Sequence, residues 1–333
     1  MIPETKREAV VRALGEAFGV AEFEEIQTMS AGLSPALVFR MVVKGRPYLM
    51  RVVTDTDAAV GPGRGDQTRH YRCMKSAAEA GIGPRVWYTN TEDRVSITDF
   101  VEARPLPRRE ALALLPSTLR RLHALTPFPL PGMGNYLDAM HGFVRRFQAA
   151  GILPESEAAE FFEGYERVAG AYPRDRSEMV SCHNDLKPEN ILFDGERVWL
   201  VDWEAGFLND RYVDLAVVAN FVVTDDGDEQ AYLRTYFGEE AGEYRLARFY
   251  LMRQLLHVFF PAVFLMVSSG GKPVEFRGEA PGFREFHDGI WAGEVSLAAK
   301  EAKVEYARVH MNRFLENMRG ARVREAMLVV AGR

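Results

Sequence analysis

The sequence predicts an α+β chain in two unequal lobes. Residues 1–100 form a small antiparallel β-sheet lobe with one helix, and residues 101–333 form a larger, mostly helical lobe. Three observations carry this. Short β-rich runs crowd the first hundred residues, helical spacing of apolar residues dominates after Val101, and one apolar hairpin, "ILFDGERVWLV", interrupts the helices.

The opening "MIPETKREAVVRALGEAFGV" carries charges throughout and apolar residues at helical spacing, so it reads as an amphipathic helix rather than a signal peptide. "FEEIQTM", "ALVFRMVV" and "PYLMRVV" are strands, separated by "SAGLSP" and "KGR". A helix is expected from about Asp66 to Glu79, stopped by Gly81 with Pro84 behind it. "RVWYT" and "VSITDFV" complete a five-stranded sheet, and a hinge is placed near Asp99 to Glu102. Helices are expected beyond it at roughly 108–125, 136–150, 154–171, 211–223, 228–237, 242–268 and 287–318.

Composition narrows the function classes. The chain is 47% apolar and 26% charged, as in an ordinary folded protein, and its net charge of -6 argues against a nucleic-acid partner, which needs clustered Lys and Arg. The two cysteines, Cys73 and Cys182, lack metal-ligand spacing and read as free thiols. The most apolar run, Leu255 to Val267, is too short for a bilayer span and contains His257 and Pro261; no membrane partner and a cytoplasmic location are expected.

The chemistry concentrates in "SCHNDLKPENILFDGERVWLVDW". Asp194-Gly195 is a hairpin turn signal: a loop over Asp194 to Arg197 sets Phe193 against Val198 and Asn190 against Val201, and a tighter turn slides this pairing by a few residues. Asn190 then enters the first strand and Asp202 leaves the second at one end of the hairpin, with Asp185 five residues upstream of Asn190. An Asp and an Asn supply hard oxygen ligands suited to Mg²⁺ shared with phosphate oxygens, and a separate Asp can take a proton from an attacking hydroxyl. That division of labour fits phosphoryl transfer.

The spacing His183-Asn184-Asp185-Leu186-x-x-x-Asn190 matches the catalytic-loop pattern of protein kinases. With "LVDWE", "NDRYVDLA", "LRRLHAL", "AGIGPRV" and "SAGLSPALVFRM", the stretch from roughly 25 to 225 resembles the choline kinase and aminoglycoside phosphotransferase superfamily. The resemblance implies a bilobal protein-kinase-like fold and an ATP- and Mg²⁺-dependent enzyme acting on a small-molecule alcohol. By motif position it makes Asp185 the catalytic base, Asn190 and Asp202 the metal ligands, His183 a brace for the loop, and Lys187 a neighbour of the γ-phosphate. Asp214 is either a support for that loop or a plain helix N-cap. "DWE" in place of D-F-G, with no A-P-E, points away from a protein kinase proper.

On the nucleotide side, the loop with Gly32 and Ser34 is expected over the phosphates, and Arg51 stands where kinases carry the β3 lysine. Asp99 and Val101 lie where backbone groups would meet adenine. His70 occupies the helix position expected to hold Glu, leaving Arg51 without an evident acidic partner. "GPGRG" at 61–65 lacks Gly-Lys-Ser/Thr and reads as a linker. On the acceptor side, Glu204 is expected on the same side of an extended strand as Asp202, reaching the metal's outer shell or a substrate cation, with solvent exposure as the rival. Phe260 and Phe264 lie in an aromatic helix that either walls an ammonium group or fills the core; Trp291 and Tyr306 share that choice. Choline or ethanolamine leads as acceptor, an aminoglycoside follows, and a catalytically weak nucleotide-binding regulatory module is the alternative.

Overall fold

The computed structural model describes residues 2–29, 36–54, 66–130, 136–270, 272–274 and 280–332. Its elements run α1 (Arg7–Phe18), β1 (Glu25–Met29), β2 (Leu37–Val43), β3 (Arg46–Val52), α2 (Gln67–Glu79), β4 (Val86–Asn90), β5 (Val95–Asp99) and α3 (Arg108–His123). Then follow α4 (Tyr136–Ala149), α5 (Glu155–Ala171), β6 (Met179–Cys182), β7 (Ile191–Phe193), β8 (Val198–Leu200), β9 (Phe207–Asp210), α6 (Arg211–Val222) and α7 (Asp226–Phe237). The chain closes with α8 (Glu243–Ser268), α9 (Phe283–Trp291), α10 (Lys300–Arg319) and α11 (Ala321–Ala331).

The first five strands form one antiparallel sheet in the order β1-β2-β3-β5-β4. Alternation decides its faces: Phe39, Met41 and Val43 of β2 and Tyr48, Met50 and Val52 of β3 are buried, and α1 closes over the same core with Val10, Ala13 and Leu14. Arg51, between Met50 and Val52, therefore projects from the opposite face. Helix α2 begins at Asp66, whose carboxylate accepts the Arg69 N–H at 3.0 Å. The segment after it docks on the second lobe, where the Leu200 N–H donates to the Ile82 carbonyl at 2.8 Å.

Helix α8 is the axis of the second lobe, packed by α4, α5, α6, α10 and α11. The run Leu255 to Val267 belongs to this helix of 26 residues, longer than the run alone indicates. Its length and composition would suit a membrane span, but Phe249, Leu251, Met252, Leu256 and Val258 are buried among neighbouring helices, which accounts for its apolarity. One expected helix divides. Residues 287–318 fall in α9 and α10, separated by a turn in which Gly293 has φ +76° and the N–H groups of Glu294 and Val295 both donate to the Gly289 carbonyl.

Three fully buried histidines join α8, α9 and α10. His257 Nδ1 lies 2.9 Å from His310 Nδ1, His310 Nε2 lies 3.0 Å from His287 Nε2, and His287 Nδ1 lies 2.8 Å from the Phe283 carbonyl. A carbonyl only accepts, so His287 carries its proton on Nδ1, His310 donates from Nε2 to His287, and His257 donates from Nδ1 to His310. One orientation satisfies every bond with all three rings neutral. Burial holds His287 down to about 3 and the other two well below the ordinary imidazole range. Depressed values mean that the unfolded chain takes up protons first, so stability falls as pH drops below about 6.5. Each histidine should account for about 2 kcal/mol between pH 7 and pH 5. Urea unfolding at the two pH values should show His310→Leu less stable at pH 7 yet losing less on acidification than the parent; equal losses would dismiss the chain as the cause.

Candidate active site

The hairpin has the register the turn chemistry predicts. Phe193 pairs with Val198 and Ile191 with Leu200, while the Asp194 carboxylate accepts the N–H groups of Glu196 at 2.8 Å and Arg197 at 2.9 Å. The Val201 N–H donates to the Asn190 carbonyl at 3.0 Å, so Asn190 and Asp202 leave the hairpin at the same end. Asp185 joins them through Asn190: the amide Nδ2 donates to the Asp185 carbonyl at 2.7 Å and lies 3.4 Å from its carboxylate. Asp202 sits at φ +64°, a strained position for a residue with a side chain, and among the described residues its buried Oδ1 has no hydrogen-bond partner. A buried carboxylate oxygen without a donor is costly, and a cation is what its chemistry lacks. The donor set therefore fits a hard divalent ion. Lys187 places its Nζ 3.5 Å from the Asp185 carboxylate.

The loop carrying Asp185 is held from behind. Asp214, fully buried on α6, accepts the backbone N–H of His183 at 2.8 Å through one oxygen and that of Asn184 at 2.7 Å through the other. It supports the loop, and the helix N-cap is Asp210, which accepts the Tyr212 N–H at 2.9 Å. His123 of α3 lies 3.2 Å from Asp214 through Nε2 and 2.7 Å from the Tyr236 hydroxyl through Nδ1. His183 donates from Nε2 to the Val201 carbonyl at 2.8 Å and packs its ring on Trp203, an arrangement that braces the loop against β8. Asn184, at φ +66°, ties the loop to the segment before β9 by donating to the Ala205 carbonyl at 2.9 Å and accepting from Asn209 at 2.6 Å. Sequence reasoning assigned no role to Asn184 or Asn209, although both lie inside the quoted motifs.

Gly32 and Ser34 lie outside the described residues, as does the "GPGRG" stretch. Arg51 has its acidic partner: the guanidinium is hydrogen-bonded and ion-paired with Glu204. This corrects two expectations. The carboxylate for Arg51 comes from the segment after Asp202 rather than from α2, and Glu204, expected at the metal's outer shell or a substrate cation with solvent exposure as the rival, is paired with Arg51. The extended-strand argument for Glu204 does not apply, because Trp203–Ala205 is a 3-10 turn. On α2, His70 is buried and kept neutral, its pKa pushed down by burial and then by the charges of Arg51 and Arg69. At the hinge, Asp99 accepts the Trp87 indole N–H at 2.7 Å and Val101 is half-buried. The Arg104 N–H donates to the Phe193 carbonyl at 2.7 Å, laying the segment between β5 and α3 along the β7–β8 hairpin.

The hydroxyls of Tyr306 and Tyr136 are both pushed upward, chiefly by burial, with the negative charge of Asp185 adding to each. Phe264 meets Tyr306 edge-on at 4.9 Å, whereas Phe260 contacts Phe259, which in turn meets Tyr136. Tyr136 carried no sequence signal. Trp291 is structural, donating its indole N–H to the Leu106 carbonyl at 2.9 Å. Exposed Glu239 and Glu240 pair with Arg245 and Arg234, as a solvated helix end does.

The profile of the phosphotransferase enzyme family (APH) matches residues 25–250. The chain is 31% identical over 160 residues to Protein LicA of Haemophilus influenzae, a match covering 45% of this chain and 59% of LicA, so it spans little more than half of that relative. The fold resembles that of a choline/ethanolamine kinase family protein from Mesorhizobium loti, with a TM-score of 0.68, 20% identity, and coverage of 98% of this chain and 100% of the other. It also resembles a spectinomycin phosphotransferase solved with ADP and spectinomycin, with a TM-score of 0.56, 12% identity and 97% coverage of both chains. With a family profile spanning both lobes and every element of the catalytic hairpin, the chain belongs to the phosphotransferase enzyme family, and its two-lobed architecture is the kinase-like fold.

Proposed function

We propose that the protein transfers the γ-phosphoryl group of ATP, with Mg²⁺, to the hydroxyl of a small amino alcohol of the choline or ethanolamine type. The observation that carries this reading is the convergence of Asp185, Asn190 and Asp202 at one end of the hairpin, with a buried Asp202 oxygen that has no donor among the described residues. Asn190 and Asp202 would hold the ion, which when bound neutralises charge on the phosphates. Asp185 accepts the hydroxyl proton and orients the oxygen for in-line attack. Lys187, beside Asp185, supplies a positive charge where the transferred group arrives. Arg51, on the sheet face turned away from α1, supplies a planar donor fork for the other phosphates.

For the acceptor, the aromatic rings of Phe264 and Tyr306, which meet at 4.9 Å, and of Tyr136 and Phe259 suit a quaternary or primary ammonium. The relation to LicA and to the choline/ethanolamine kinase family protein supports the same class. The regulatory-module alternative was motivated by an Arg51 without a carboxylate, and Glu204 removes that motive. A screen of choline, ethanolamine and spectinomycin, read by ADP release, should show turnover with choline or ethanolamine that EDTA abolishes. ADP binding with no turnover of any of the three would favour the module instead.

A further inference from the structure

The pair between Arg51 and Glu204 crosses from one lobe to the other. Arg51 lies on β3 and Glu204 two residues beyond Asp202, and the two side chains are only 11% and 14% exposed. The carboxylate is also held in place by its own backbone. The Glu204 carbonyl accepts Arg69 Nη2 at 3.0 Å, and one turn along α2 the Cys73 thiol lies 3.5 Å from the Gly206 carbonyl. Gly206 sits so close to Cys73 that an added Cβ would meet its sulfur at 3.2 Å. The segment carrying Glu204 is thus fastened to α2. The α2 position expected to carry a Glu for Arg51 holds His70, kept neutral chiefly by burial.

We infer that Glu204 is a built-in stand-in for phosphate: in the empty protein it occupies Arg51, and the polyphosphate of a nucleotide must displace it. The inference rests on the reading of Arg51 as the phosphate-binding cation. A carboxylate and a phosphate present the same pair of acceptor oxygens to a guanidinium fork, so either can take the site. The phosphate carries more charge and wins at sufficient concentration, but it leaves a largely buried carboxylate without its cation, which is costly. A divalent ion held by neighbouring Asp202 gives that carboxylate a positive charge to face. Nucleotide affinity should therefore depend on the ion more steeply than phosphate coordination alone requires.

The test is ADP binding by calorimetry, in EDTA and in Mg²⁺, for the parent, Glu204→Gln, Arg51→Met and the double variant. In EDTA, Glu204→Gln should bind ADP about fivefold more tightly than the parent, and Mg²⁺ should improve its affinity less. In the Arg51→Met background the same change should alter affinity by less than about twofold. Adenosine, which has no phosphate, should bind all four proteins equally. An unchanged or weakened affinity of Glu204→Gln in EDTA overturns the inference. So does an equal gain without Arg51, or a gain that adenosine shares. If the parent binds adenosine but gains nothing from the phosphates of ADP, the role given to Arg51 fails, and the inference falls with it.

Discussion

Asparagine at position 185 is expected to lower kcat by about 10²–10⁴-fold while ADP affinity changes by less than about threefold. The substitution keeps the shape of the side chain and removes only its capacity to take a proton. The backbone carbonyl that receives the Asn190 amide at 2.7 Å is untouched, so the loop and the ligand pair Asn190 and Asp202 stay in register. Lys187, 3.5 Å from the carboxylate in the parent, loses its counter-charge, which if anything favours nucleotide phosphates. A base acts in the transition state, so its removal belongs in kcat, whereas loss of a metal ligand should appear first in Mg²⁺-dependent binding. Asp202→Asn is the contrast: its ADP affinity should cease to respond to Mg²⁺. Steady-state ADP release with the best acceptor, beside calorimetric ADP binding, checks both. Turnover of Asp185→Asn within tenfold of the parent would remove Asp185 from the chemistry.

What could be read from the sequence was whatever local patterning determines. Short β-rich runs placed β2 and β3, and the Asp194-Gly195 turn marked the hairpin that brings Asn190 and Asp202 to one end. The catalytic spacing from His183 to Asn190 is local too. The partner of Arg51 escaped because it lies 153 residues away, outside the helix where analogy directed the search. The histidine chain escaped for the same reason: His257, His287 and His310 share no period and meet only where three helices pack. The break between α9 and α10 has another cause. The residues "EVSLAAKEAKVEY" are compatible with a helix throughout, and the interruption is decided by the turn at Gly289 and Gly293.

Alanine at position 214 is expected to cost about 3–5 kcal/mol of stability and to abolish turnover with it. The carboxylate is fully buried, and each of its oxygens accepts one backbone N–H of the catalytic loop. Removing it strands two N–H groups at about 1–3 kcal/mol each and leaves His123 without its acceptor on α6. Water cannot easily replace the oxygens, because His183 is itself fully buried and Asn184 nearly so. Asparagine at 214 is a sharper probe. Its amide oxygen can still receive one N–H, but its NH₂ group must face the other donor, so one repulsive contact replaces one bond. Asp214→Asn should therefore fall between the parent and Asp214→Ala in urea unfolding. Its kcat should drop even where it remains folded, since Asp185 follows directly after the two residues whose amides are held. A residue that served only as a helix cap would behave differently: loss of a cap costs about 1 kcal/mol and leaves a loop thirty residues upstream in place. Stability of Asp214→Ala within about 1 kcal/mol of the parent, with turnover intact, would return Asp214 to that lesser role and leave the positioning of Asp185 to Asn190 and His183.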